Sequence, residues 1–320
     1  MISMLDLRAY CLKIVFNSLG RLGSPLLNIG LARGLDLFAD VPYGPLPDQR
    51  LDIWKPGSSE PNPLPILVFF HGGGWVSADK RIYKGIAATF ARSGFVIFNV
   101  NYRLAPKYRF SAPLQDAVLA IDWIHRNAER YGGDPTVIVL AGDSAGAQIA
   151  SWYASALYKD GLLQRIGVRS HVSETSVKGL LLFYGVYDFD TVQDAPFPFI
   201  RIYARSFLGA EMPIYRENSI VASPIRQISP DLPPIWLCAG ERDGLFSQSK
   251  AYAQALENHG VRCRSLFFSG KRRAGHGFLF FRWLGASKEA VASALDFLRD
   301  TTALDSKTAR GSDSGASPPS

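Results

Sequence analysis

A serine with a glycine two positions away on either side occurs once in a telling context, Gly142-Asp143-Ser144-Ala145-Gly146, directly after the apolar run 137–141 and before an amphipathic stretch. That is the spacing of a nucleophile lifted on a sharp strand-to-helix turn. Neighbours two positions away are then forced against other backbone, and glycine tolerates both the crowding and positive φ. The following helix turns its N-terminus toward the serine, which favours negative charge developing there.

A serine hydroxyl needs a base and an acid, and in chains of this pattern they follow later strands in the order Ser, Asp or Glu, His. Gly275-His276-Gly277-Phe278 supplies the one histidine beyond the last strand. The others read differently: His125 falls mid-helix, His171 and His259 lie in polar segments, and His71 braces a glycine loop. The acid comes from Gly240-Glu241-Arg242-Asp243-Gly244. Asp243 is preferred because it sits past the strand end beside a glycine, and Glu241 is the alternative.

The third element is His71-Gly72-Gly73-Gly74-Trp75, closing the apolar run 66–70. Consecutive glycines after a buried strand let backbone N–H groups face a cavity, as an oxyanion hole requires. Gly72 and Gly73, with Ala145 after the nucleophile, are the expected donors. No Lys-Ser/Thr pair follows at the spacing of a phosphate loop, so that reading fails. Together these residues predict acyl transfer. His276 takes the Ser144 proton, Ser144 attacks an ester carbonyl, the N–H groups hold the oxyanion, and Asp243 orients the imidazole.

Positioning them requires a sheet. From about residue 49 short apolar runs alternate with helix-length amphipathic segments, the mark of a mostly parallel sheet covered on both faces. Strands are predicted at 50–54, 66–70, 96–102, 137–141, 179–184, 235–239 and 264–268, and helices at 83–92, 112–131, 145–159, 248–258 and 288–300. One long connection, 186–229, is rich in aromatics and prolines, as lids and binding loops are. Within it Phe197, Phe199, Ile200, Ile202, Tyr203 and Phe207 are placed to cover an acyl pocket, with Trp75, Phe199, Tyr203 and Phe278 as the expected lining. Residues 1–40 are read as an N-terminal amphipathic helix and cap, 41–300 as the catalytic domain, and 301–320, rich in Ser, Gly, Thr and Pro, as a disordered tail.

Composition narrows the class. A chain of 320 residues with 47% apolar side chains buries a sizeable core. Its net charge of +7 is dispersed, which argues against nucleic acid as a partner. Cys11, Cys238 and Cys263 lack motif spacing, so neither a disulfide framework nor a metal site is expected. No stretch approaches the roughly eighteen apolar residues of a membrane span. Lys13 interrupts the apolar centre a signal peptide would need, so the expected compartment is the cytoplasm. Residues 1–34 carry Arg8, Lys13, Arg21 and Arg33 against Asp6; the helix they form packs over the domain, the alternative being peripheral contact with a membrane surface. Lys271-Arg272-Arg273, just before His276, stands where it could attract an anionic substrate.

The 71–75 loop, Tyr102-Arg103-Leu104-Ala105-Pro106 with Asp116 downstream, the 142–146 turn and the Asp243/His276 pair together resemble the hormone-sensitive-lipase-like family of α/β-hydrolases, over most of residues 48–285. The resemblance implies an α/β-hydrolase fold with eight strands, a small cap from the N-terminal helix and the 186–229 insertion, no cofactor, and short or medium acyl esters as small-molecule substrates. Lys107 stands where that family often has Glu, and Ala147-Gln148 where Gly and a polar residue are common. The Trp after the glycines is also similar to kynurenine-formamidase-like enzymes, which cleave an amide with the same triad. Relatives that have lost the histidine bind ligands without hydrolysis; His276 sets this chain apart from them.

Overall fold

Every predicted strand forms, and an eighth joins them. The computed structural model describes residues 3–18 in full, 19–27 as backbone, and 33–57, 62–270 and 274–302. Eight strands make one sheet in the order β1-β2-β4-β3-β5-β6-β7-β8. They are β1 Leu35–Pro42, β2 Arg50–Pro56, β3 Leu64–Phe70, β4 Val96–Val100, β5 Gly133–Asp143, β6 Val177–Phe183, β7 Ile235–Gly240 and β8 Cys263–Phe268. Pairing is parallel from β4 through β8 and antiparallel only where β2 meets β1 and β4.

Side chains alternate between the two faces as strand geometry demands. Ile66, Val68, Phe70, Ile138, Leu140, Leu180 and Leu182 belong to one core. Leu67, Phe69, Val139, Ala141, Leu181 and Phe183 belong to the other. Helices α3 (Ala112–Asn127), α4 (Ala145–Tyr158), the one-turn α5 (Leu162–Arg165) and α8 (Phe246–Asn258) cover the first face; α2 (Lys84–Ala91) and α9 (Gly285–Thr302) cover the second. Because both faces are covered, the inner strands read as unbroken apolar runs.

The N-terminal boundary is corrected. Residues 35–40, assigned by sequence to the cap, belong to β1, whose residues are mostly exposed and so give no apolar signal. What remains of the expected cap is α1 (Met4–Leu27), which packs against α6 (Ile200–Leu208) of the 186–229 insertion. Ala9 of α1 meets Val76, Ala105, Ile202 and Tyr203. Asp6 is ion-paired with Arg109, and Asn17 Oδ1 accepts the Ala78 N–H at 2.9 Å. The insertion also holds α7 (Met212–Ala222), tied to α4 by the Trp152 indole donating to Val221 O at 2.7 Å. Among the described residues no helix is long and apolar enough to cross a membrane. Thr301 and Thr302 end α9; residues 303–320 and the run 271–273 lie outside the described residues.

One buried ion pair holds the sheet edge to the loop after β3. Lys80 Nζ bonds the Asp52 carboxylate, both side chains being almost wholly buried, and reaches Asp40 Oδ1 at 2.6 Å. Lys80 opens the short 3₁₀ turn Lys80–Tyr83, so the pair fixes where Tyr83 stands. Breaking such a pair leaves a buried charge uncompensated. Lys80→Met is therefore expected to lower stability by about 3–5 kcal/mol in urea unfolding, and adding Asp52→Asn to recover part of the loss. No recovery in the double variant would show that Lys80 acts by packing alone.

Candidate active site

Parallel strands deliver their following residues to one end of a sheet, where ligands bind in open α/β folds. Four loops meet there, after β3, β5, β7 and β8. Ser144 sits between β5 and α4 with φ 52° and ψ −118°, a strained conformation for a residue with a Cβ. Its N–H donates to Phe183 O at 2.9 Å, and a side chain on Gly142 or Gly146 would collide with backbone. His276 Nε2 lies 3.0 Å from Ser144 Oγ, and His276 Nδ1 lies 2.8 Å from Asp243 Oδ2. Asp243 is buried and its Oδ1 accepts the Leu245 N–H at 2.9 Å, so the carboxylate is fixed from both ends. The ring of His276 stands between the Tyr184 and Phe197 rings, 4.9 and 4.6 Å away. Glu241, the alternative acid, is exposed and accepts the Gly270 N–H at 2.6 Å, away from the histidine.

The glycine loop is where sequence reasoning needs correction. Gly72, expected as an oxyanion donor, already gives its N–H to Tyr83 Oη at 2.9 Å. Gly73 and Gly74 line the cleft beside Ser144, and among the described residues neither N–H donates to a protein acceptor. The Gly73 carbonyl accepts from Val76 N, Ser77 N and Ser77 Oγ, at 3.2, 3.0 and 3.0 Å, which anchors the turn. Ala145 opens α4, where no carbonyl lies one turn earlier to take its N–H.

Tyr83 is the functional residue that sequence reasoning missed. Its hydroxyl accepts from Gly72 and donates to Asp143 Oδ2 at 3.2 Å, linking the glycine loop to the residue before Ser144. Burial pushes the Asp143 carboxyl up to about 6, against the pull of the Tyr83 hydroxyl and of His276. The Tyr102-to-Pro106 motif acts from the other side. Tyr102 stacks on His71 at 4.4 Å and donates to its carbonyl at 2.7 Å, while Arg103 is locked to buried Asp116 at 2.8–2.9 Å. Gln148, one of the departures noted above, accepts from the Trp75 indole at 2.9 Å and donates to Ala222 O at 2.8 Å, joining loop, helix and insertion. Lys107, the other, is exposed over the Tyr108 ring.

The cleft has a volume of about 310 Å³. Trp75, Phe199 and Tyr203 line it as expected; Phe278 does not, being buried between Tyr184 and Phe268. Gly277 at φ 76° turns the chain so that Phe280 and Phe281 reach the cleft instead. Phe16 of α1, Phe197 and Leu245 complete the apolar wall. Of the insertion's aromatics, Phe207 stacks behind Trp75 at 4.9 Å.

A family model described as alpha/beta hydrolase fold matches residues 67–280. The chain belongs to that family. It is 30% identical to esterase LipC of Mycobacterium tuberculosis strain H37Rv over 74% of this chain and 59% of LipC. It spans 53–59% of the length of the first curated relatives it matches. Among solved structures, an esterase from Pyrobaculum calidifontis is 25% identical with a TM-score of 0.76, covering 94% of this chain and 95% of that one. Esterase B from Lactobacillus Rhamnosis superposes with a TM-score of 0.81 at 18% identity over 95% and 98% of the two chains, a likeness of fold.

His71 is fully buried and stays neutral: desolvation pulls its imidazole down to about 4, against the Gly72 carbonyl hydrogen bond. A lowered histidine contributes stability above its unfolded pKa and loses it as pH falls through the folded one. Between pH 7 and pH 4 wild type is therefore expected to lose roughly 3 kcal/mol more in urea unfolding than His71→Asn, which has no proton to take up. Equal losses would mean that His71 is charged in the folded protein.

Proposed function

We propose that this chain is a serine hydrolase that cleaves carboxylic esters with short or medium acyl chains through an acyl-enzyme on Ser144. The observation that carries the reading is the unbroken chain from Ser144 Oγ to His276 to Asp243, at 3.0 and 2.8 Å, on the wall of an apolar cleft. The names of LipC and of the P. calidifontis protein, both esterases, point the same way. A cleft near 310 Å³ is at the small end for ligand sites, which favours modest acyl chains.

In the first step His276 Nε2 takes the Ser144 proton as Oγ bonds to the ester carbonyl carbon. The carbonyl π-electrons move onto oxygen, which faces the N–H groups of Gly73, Gly74 and Ala145. Collapse breaks the bond to the alkoxy group, which leaves with the proton from His276. Water, deprotonated by the same nitrogen, then attacks the acyl-enzyme and releases the acid and free Ser144. Asp243 holds the imidazole with Nε2 toward Ser144 and stabilises the charge it acquires in each step. Tyr83 and Asp143 hold the donor loop in place without touching the reacting carbon.

An acyl series of p-nitrophenyl esters from acetate to octanoate, measured beside N-formylkynurenine, tests substrate class: the esters are expected to lead in kcat/KM. Preference for the formamide by several orders would assign amide hydrolysis instead. Ser144→Ala is expected to lower kcat by about 10⁶-fold. Unchanged turnover would remove Ser144 as the nucleophile, and no turnover by wild type would make the chain a binding protein. Tyr83→Phe frees the Gly72 N–H and should lower kcat about tenfold, on the order of 1.4 kcal/mol, with KM nearly constant; a loss confined to KM would place Tyr83 in substrate binding alone.

A further inference from the structure

Helix α1 packs Ala9 inward with Leu5 and Leu12 half-buried, yet it also exposes an apolar stripe. Its outward stripe is Met4, Leu7, Arg8, Cys11, Ile14, Val15 and Ser18, the i, i+3, i+4 spacing of one helical face. Met4, Leu7, Ile14 and Val15 are each more than half exposed. Polar residues turn toward the protein as well: Asp6 to Arg109, and Asn17 to the Ala78 N–H. A surface helix ordinarily does the reverse. Leaving four large apolar side chains in water forgoes stabilisation of about 25 cal/mol per Å², so the face is built to be covered.

The same helix also reaches the mouth of the cleft. Phe16 on the same helix lines the cleft and is itself 40% exposed. Phe199 and Phe281 likewise line the cleft and stand out from the surface. Trp283, 64% exposed, lies edge-on to Phe281 at 5.5 Å. A protein or a second copy seated across this collar would stopper the opening. A lipid surface would not, because acyl esters partition into it and would enter the cleft from there. Charge complementarity adds to this. Arg8 is the one charged residue in the stripe, and the chain carries +7. An exposed apolar stripe with a cation in it, beside an exposed tryptophan, is the kind of surface that lies in a membrane interface without spanning it.

We propose that the outward face of α1, with Phe199, Phe281 and Trp283, docks the cleft mouth onto an anionic lipid surface. The choice of a lipid surface over a protein rests on the esterase reading, whereas flotation reports docking itself whether or not the chain turns over an ester. The test is flotation of the full chain with vesicles of phosphatidylcholine, alone or mixed with phosphatidylglycerol. Wild type and Ser144→Ala are expected to float equally with the mixed vesicles, at least tenfold more tightly than with neutral ones. The double variant Leu7→Gln/Ile14→Gln, changed only at exposed positions outside the cleft, should lose at least tenfold in vesicle affinity while its thermal midpoint and its turnover of soluble p-nitrophenyl butyrate stay at wild-type values. Ser144→Ala floating without turnover would separate docking from catalysis. Absence of flotation by wild type would overturn the proposal, as would a wild-type dimer that the double variant dissolves, since the stripe would then be covered by a second copy. Equal affinity for both vesicles would overturn its anionic component.

Discussion

The molecule turns on a backbone that is held where it would not rest. Ser144 occupies a conformation costing on the order of 1–3 kcal/mol, and it persists because β5 and α4 on either side are packed into the core on both faces of the sheet. The two glycines of the turn translate that constraint into a second one. Gly146 lies so close to the carbonyls of Phe70 and His71 that a methyl group could not be inserted, so the nucleophile turn and the glycine loop cannot move apart or together separately. The distance between Ser144 and the Gly73 and Gly74 N–H groups is thus a property of the sheet, set by adjacent strands β3 and β5.

Around that contact the protein arranges its buried polarity so that charge is confined to places where it is matched. Lys80 answers Asp52, Arg103 answers Asp116, and both pairs lie under the loops rather than in the cleft. Nearest the site the groups are kept soft. Burial lowers the His71 imidazole to about 4 and raises the Asp143 carboxyl to about 6. Tyr83 stands between these regions. It is anchored through Lys80 at one end of its turn, and its hydroxyl completes a hydrogen-bonded bridge from the glycine loop to the strand carrying Ser144.

Much of this was legible because the relevant signals are local. The 142–146 turn, the inner strands and the histidine at 276 each announce themselves by spacing or by an apolar run, and Ser144, His276 and Asp243 do meet. What was illegible depends on facing. Three consecutive glycines look alike in sequence, and which N–H is spoken for is decided by Tyr83, eleven residues on. Phe278 is two residues from His276 yet faces the core, because Gly277 reverses the chain and hands the cleft to Phe280 and Phe281. Strand β1 escaped notice for the opposite reason: an antiparallel edge with exposed side chains needs no apolar run, and Asp40 at φ 55° interrupts its pairing with β2. Helices α6 and α7 lay hidden in a segment whose prolines and aromatics read as loop.

Phe16 forms part of the cleft wall. It arrives from the first helix of the chain, whereas Ser144, Asp243 and His276 stand on loops that leave the sheet. The two are joined mainly through Ala9, Asp6 and Asn17. A lineage can therefore alter the shape of the space offered to a guest by changing residues near its amino end, leaving the reactive group under the same backbone discipline. Novelty in what is recognised and conservatism in what is done to it have separate addresses in this chain.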